Sequence, residues 1–254
     1  MSAITVMLMV LALLMLVVGG KKGLMALLSV VGNLIVLVVM IWMLVKGVPF
    51  FLVSLIFIVL TLLINFFLCN EEVDAYHTKV GFIASASLIG LMSLVLPLVS
   101  RYFYSYGFAG EELEELGNLS FDLTIHYQTV FSTLVIVAMI GAVIDGAIAV
   151  SSAMHEVSKA QPNLSAKELR QSGLSMGHDI ISTTMTTLLL AFFGNYLGII
   201  LYVMDFNYGL SYLFNAQLVV AQLVVMLLSA MGTLLILPWT AFCYVWLKNE
   251  EEKE

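Results

Sequence analysis

Long apolar runs constrain the fold of this chain more than any other feature of its sequence. Seven segments reach the ~20 mostly apolar residues that a helix needs to cross the hydrocarbon core of a bilayer. Only helices and closed barrels can span that core, because backbone polar groups find no water there. The runs do not alternate as barrel strands do, so we predict helices. The predicted spans are residues 3–19, 24–45, 50–68, 80–100, 127–151, 180–204 and 218–247.

Composition supports a polytopic membrane protein. Hydrophobic residues make up 61% of the 254 residues, whereas soluble domains contain roughly 45–50%. The net charge of −7 arises largely from acidic residues in predicted loops and ends, which we interpret as solvated charge. No basic patch indicates nucleic acid binding. We therefore predict an all-α transmembrane helical bundle.

The basic residues predict its orientation, because cytoplasmic loops carry an excess of Lys and Arg. If the N-terminus lies outside and the C-terminus lies in the cytoplasm, only Lys46 and Arg101 of the ten basic residues fall on the outer side. The others fall on the cytoplasmic side, and they are Lys21, Lys22, Lys79, Lys159, Lys167, Arg170, Lys248 and Lys253.

Four regions follow from this topology. Residues 1–100 are predicted to form four apolar transmembrane helices, in which Asn33 and Asn65 are interpreted as interhelical contacts. Residues 101–126 would form an extracytoplasmic amphipathic loop, and residues 248–254 an acidic cytoplasmic tail. Residues 127–247 would form a three-helix polar core with a cytoplasmic loop at 157–177. In that loop, Ser165 and Glu168 match a capping box, which predicts a short helix beginning near Ala166.

Asp145 is the one charged residue in the apolar stretch 135–150. A carboxylate at the centre of a membrane helix costs about 2.5–3.5 kcal/mol on insertion scales, and such residues usually face a helix bundle or a wet cavity. At 3.6 residues per turn, Gly141 and Ala142 lie on the same side as Asp145. Because small residues let helices approach closely, we expect Asp145 to face a helix interface.

Hydroxyl groups in the sixth span are the predicted neighbours of Asp145. Counted from the predicted inner ends of the two spans, the carboxylate and the hydroxyls fall at one depth, and Gly194 and Gly198 form a packing motif on nearly the same face. Alternatively, Asp145 is neutral and structural, and the threonines bond to their own helix. The candidate residues for ion or proton coupling are Asp145, Thr183, Thr184, Thr186 and Thr187.

Four further polar residues are predicted to lie at the cytoplasmic mouth, and they are His155, Glu156, His178 and Asp179. Solvated histidines at membrane ends are commoner than metal ligands, and the tight ligand spacing of a metal site is missing. We therefore predict no metal and no cofactor. The sequence also lacks the motifs of hydrolases and nucleotide-binding enzymes, so we do not expect an enzyme.

The C-terminal hundred residues contain five distinctive motifs: GAVID (141–145), AVSSAMHEV (149–157), SGLSMGHDI (172–180), MTTLLLAFFG (185–194) and LPWTAF (237–242). These motifs resemble those of the YibE/F-like family of bacterial membrane proteins, whereas spans one to four match that family only in hydropathy. The resemblance implies a permease subunit in the bacterial cytoplasmic membrane.

A weaker similarity links spans five and six to the fourth and fifth helices of resistance-nodulation-division and SecD/SecF transporters. In that superfamily an intramembrane acid relays protons, which implies this role for Asp145. The chain lacks the large extracytoplasmic domain of those transporters, and the YibE/F resemblance implies a related subunit that supplies one. We expect a proton- or ion-coupled transporter subunit surrounded by membrane lipid; the alternative is a non-transporting scaffold or regulatory subunit.

Overall fold

The computed structural model describes residues 3–68, 75–103, 127–205, 211 and 217–251. Six helices within these ranges are long and apolar enough to cross a membrane, which confirms the prediction of a helical membrane protein. Most of the predicted loop 101–126 lies outside the described residues. The helices are α1 (Ala3–Val45), α2 (Phe50–Leu68), α3 (Ala75–Phe103), α4 (Tyr127–Ala160), α5 (Ala166–Asp205) and α6 (Gln217–Glu251).

The chain divides into two compact units, residues 1–78 and 79–254. In the first unit, α1 is interrupted at Gly20, whose backbone is not helical (φ 54°, ψ −129°). This conformation lies in the region that favours glycine, which lacks a Cβ. The two arms of α1 correspond to the first two predicted spans. The prediction of seven crossings counts the two arms of α1 as separate spans. The number of crossings and the orientation both remain predictions.

Amide side chains link α1 to α2 in the first unit. Asn65 Nδ2 donates to Asn33 Oδ1 at 3.5 Å, and Ser29 Oγ donates to Asn65 Oδ1 at 3.5 Å. A Cβ on Gly32 would lie 3.3 Å from Ile64 Cδ1, so the two helices are in close contact there. These contacts confirm the interpretation of both asparagines as interhelical.

In the second unit, α4, α5 and α6 pack on one another through glycines. Met139 and Val143 of α4 contact Gly232 of α6, and Ile236 lies over Gly146. Helix α5 contributes Gly177, which contacts Leu237, and Gly173, which contacts Met154 of α4. Because the contacts advance together along α4 and α6, these two helices are parallel. Helix α3 is joined to α6 by a hydrogen bond from Trp239 Nε1 to Ser87 Oγ at 2.8 Å.

A short turn, residues 161–165, joins α4 to α5, and we call this end of the three helices the turn end. The capping box is confirmed: the Ser165 amide donates to Glu168 Oε2 at 2.9 Å, and the Glu168 amide donates to Ser165 Oγ at 3.3 Å. The helix that begins at Ala166 is not short, however. It continues to Asp205, so the predicted cytoplasmic helix and the sixth span are one helix, and most of the predicted loop 157–177 is helical.

Candidate functional site

Asp145 lies on the side of α4 that faces away from α5 and α6. The packed side of α4 carries Met139, Val143 and Met154, all nearly inaccessible. Asp145 is exposed, and so is Gly141 one turn earlier. Within the described part of the chain, no atom lies within 4 Å of a Cβ placed on Gly141. We call this surface of α4, defined by Gly141, Ala142 and Asp145, the Asp145 face.

The predicted pairing of Asp145 with the hydroxyls of span six is not formed within one chain. Among the described residues, no hydrogen bond reaches the Asp145 carboxylate. The physical reason is the packing of the second unit: α4 contacts α5 and α6 through Met154, Val143 and Gly146, which turns Asp145 outwards. Within the second unit, the described helices α5 and α6 leave the Asp145 face uncovered.

The threonine hydroxyls of α5 bond to their own helix. Thr183 Oγ1 donates to the Asp179 carbonyl at 3.2 Å, and Thr187 Oγ1 donates to the Thr183 carbonyl at 2.9 Å. Thr186 Oγ1 donates to the Ser182 carbonyl at 2.8 Å; these three threonines are exposed, whereas Thr184 is half-buried. A hydroxyl that has given its proton to a carbonyl still has lone pairs that accept. The cluster therefore offers acceptors, which suit a protonated carboxyl group.

The depths of Asp145 and the threonines also differ from the sequence prediction. Gly146 and Gly177 contact the adjacent residues Ile236 and Leu237, so they lie at nearly one depth. At 1.5 Å per residue, Thr183 lies up to about 8 Å farther from the turn end than Asp145. The predicted reference points, Ser151 and Ile180, are not level, because α4 continues to Ala160 and α5 begins at Ala166.

A second open surface runs along α5. Among the described residues, no atom approaches within 4 Å of a Cβ placed on Gly194 or Gly198. Thr183 and Thr187 lie on the same side of the helix, and all four residues are exposed. We call this surface the Thr–Gly face. The described residues of the second unit therefore do not form the packing contact predicted for Gly194 and Gly198, and this role stays a prediction.

The four residues predicted to form a cytoplasmic mouth have different surroundings in the structure. His155 Nδ1 lies 3.3 Å from the hydroxyl of the fully buried Tyr244 on α6. Glu156, His178 and Asp179 are exposed. In the described ranges, no three His, Cys, Asp or Glu residues are grouped so that they could hold a metal ion.

The turn end also contains a cavity that the sequence did not predict. Its volume is ≈ 410 Å³, and it lies between the start of α5 and the end of α6. Two signals could have indicated it: two cations near the capped start of α5, and a tryptophan close to the end of an apolar span. The lining residues are Ala166, Lys167, Arg170, Phe242, Val245, Trp246 and Asn249.

Comparison with known proteins gives one family. The family model described as YibE/F-like protein matches residues 7–250. The match therefore includes the first four predicted spans. The resemblance found in the sequence motifs covered only the C-terminal part of the chain closely. Neither a curated protein nor a solved structure matches the sequence.

Proposed function

This chain belongs to the YibE/F-like family, and we propose that it is one subunit of a bacterial membrane transporter. A proton or another ion would couple to transport through Asp145. A related membrane subunit, carrying an extracytoplasmic domain, would complete the site in the cytoplasmic membrane.

The open Asp145 face is the observation that carries this proposal. Asp145 is exposed on an apolar helix, beside a glycine with free space above it. A charge left against lipid at the helix centre would cost about 2.5–3.5 kcal/mol on insertion scales. A second subunit that packs over Gly141 would remove that contact with lipid. The small side chains of the face allow such an approach.

The chemistry of Asp145 favours coupling over packing alone. Ionisable residues inside membrane segments commonly mark proton and ion pathways. A carboxylate can take up and release a proton or a cation, and its protonated form donates one hydrogen bond. The distant similarity to proton-relaying transporter helices supports the same role.

The test is proton movement by the assembled complex in liposomes, followed with an internal pH-sensitive dye. We expect Asp145→Asn to abolish coupled proton entry while the complex still assembles, because the amide keeps the shape and loses the titratable group. Asp145→Glu is the matched control, since it keeps a titratable carboxylate at the same position and should retain proton entry. Unchanged proton entry with Asp145→Asn would rule out the coupling role.

A scaffold is the second candidate, favoured by the two open glycine-containing faces. A scaffold would need Gly141 and Gly194 for contact with its partner and would not need a titratable group. In that case Gly141→Leu and Gly194→Leu would separate the complex on co-purification, and Asp145→Asn would change neither assembly nor activity. The same three variants therefore distinguish the two functions.

A further inference from the structure

The cavity at the turn end has walls of two different kinds. One wall is the first turn and a half of α5, which carries Lys167 and Arg170. The other wall is the end of α6, where Phe242 and Trp246 are 50% and 51% exposed. A cationic wall beside an aromatic wall presents both a charged and an apolar contact to a single ligand.

Neither cation has a counter-ion within the described part of the chain. The acid closest in sequence is Glu168, whose carboxylate bonds the Ser165 hydroxyl at 2.7 Å and the Ser165 amide at 2.9 Å. Lys248, another cation near the turn end, donates to Ser158 Oγ at 3.0 Å. Among the described residues, Lys167 and Arg170 therefore carry charge that an added anion can neutralise.

The chemistry of the cationic wall suits a phosphate group. An arginine guanidinium can bind two phosphate oxygens with two parallel hydrogen bonds, and lysine adds a mobile point charge. Asn249 contributes an amide donor at the same cavity. Ala166, at the first position of α5, also lines it, and the N-terminal end of a helix favours negative charge.

The aromatic wall indicates that the phosphate belongs to a lipid. Phe242, Val245 and Trp246 continue the apolar surface of α6, which ends at Lys248 and Asn249. Tryptophan is enriched where membrane helices meet the headgroup layer, and basic pockets between transmembrane helices bind anionic headgroups. The volume of ≈ 410 Å³ is within the range of about 300–1,000 Å³ for small-molecule sites.

We propose that this cavity is a binding site for an anionic phospholipid. Lys167 and Arg170 hold the headgroup phosphate, and Trp246 and Phe242 contact the first part of the acyl chains. The site is separate from Asp145, and its occupancy does not depend on the transport proposal.

Lipid binding is tested with the purified full chain in detergent, titrated with phosphatidylglycerol or with phosphatidylcholine. Native mass spectrometry then measures how many lipid molecules of each kind stay bound. We expect preferential retention of phosphatidylglycerol. Lys167→Gln and Arg170→Gln should each weaken it roughly fivefold, the factor expected for one cation near an anionic membrane surface. The matched control is Lys21→Gln with Lys22→Gln, which removes two charges from the first unit and should leave retention unchanged.

Tryptophan quenching locates the bound lipid. Phosphatidylglycerol with brominated acyl chains should quench fluorescence more than brominated phosphatidylcholine does. This difference should disappear in Trp246→Phe and in the Lys167→Gln, Arg170→Gln double variant, while the quenching of Trp42 and Trp239 remains. Since Lys167 and Arg170 are exposed, both variants should elute as the native chain does in size-exclusion chromatography.

Three results would overturn the proposal. Equal retention of both lipids, or equal retention by the wild type and the double variant, would show that the cations are merely solvated. Displacement of bound phosphatidylglycerol by equimolar glycerol phosphate or inorganic phosphate would show that the site recognises a free phosphate instead of a lipid.

Discussion

Gly146 of α4 lies so close to Ile236 of α6 that a Cβ on Gly146 would be 2.9 Å from Ile236 Cγ2. Ile236 is completely buried, and its branched side chain has little freedom to move. This contact fixes the rotation of α4 next to Asp145. The Asp145 carboxylate points away from α6 because the next residue, Gly146, faces α6.

We predict that Gly146→Ala destabilises the second unit and that Gly141→Ala does not. Overpacking a buried contact costs about 1–3 kcal/mol. On the open Asp145 face, Gly141→Ala should instead raise the stability by about 0.5–1 kcal/mol, because alanine has a higher helix propensity than glycine. Thermal unfolding of the purified chain in detergent measures both changes. Equal melting temperatures for the two variants would contradict the close contact with Ile236.

A second prediction concerns the asparagine contact in the first unit. Asn65→Leu removes the bonds to Asn33 and Ser29 and should lower stability by about 0.6 kcal/mol for each bond, the mean for an interhelical hydrogen bond in membranes. Asn195→Leu is the matched control, because Asn195 is exposed on α5 and its loss should be neutral in the isolated chain. The experiment compares the thermal unfolding of both variants. A larger loss of stability for Asn195→Leu than for Asn65→Leu would contradict the assignment of Asn65 as the interhelical contact.

The His155–Tyr244 pair gives a third prediction. Tyr244→Phe keeps the buried ring and removes the hydroxyl near His155 Nδ1, so we expect a loss of about 0.5–1.5 kcal/mol for one hydrogen bond. His155→Ala should add little to Tyr244→Phe, because residues that share a contact are not additive. A double-mutant cycle on the unfolding free energy measures this coupling. Full additivity would show that the two side chains do not interact.

The capping box gives a prediction about pH. The hydrogen bonds from the Ser165 hydroxyl and the Ser165 amide hold the pKa of Glu168 below its usual value. A depressed carboxyl pKa stabilises the fold above the unfolded-state pKa, and this contribution is lost as the pH falls through the folded-state pKa. Glu168→Gln should therefore increase amide hydrogen exchange in the first turn of α5 at neutral pH.

The same comparison at acidic pH serves as the internal control. Once Glu168 is protonated, the wild type and Glu168→Gln should exchange alike in the first turn of α5. Lys159→Gln, which alters a charge at the end of α4, should leave exchange in α5 unchanged at both pH values. A difference between the wild type and Glu168→Gln that persists in acid would contradict the assignment.

Parts of this structure follow directly from local sequence. The start of α5 at Ala166 was predictable because a capping box depends on residues only three positions apart. The helical membrane fold was predictable because long apolar runs have few other solutions. The exposure of Asp145 and the open space above Gly141 were not predictable, since helical periodicity says which residues share a side and not which side is covered.

The sequence by itself determined that the chain is a helical membrane protein, where α5 begins, and that Asp145 shares a side with small residues. Tertiary structure decided that the Asp145 face and the Thr–Gly face both point away from the packed helices. It also decided that Lys167 and Arg170 meet the aromatic end of α6. The physical reason is that helix rotation and relative depth are set by contacts between residues far apart in the chain. Gly146 against Ile236 and Gly177 against Leu237 are two such contacts.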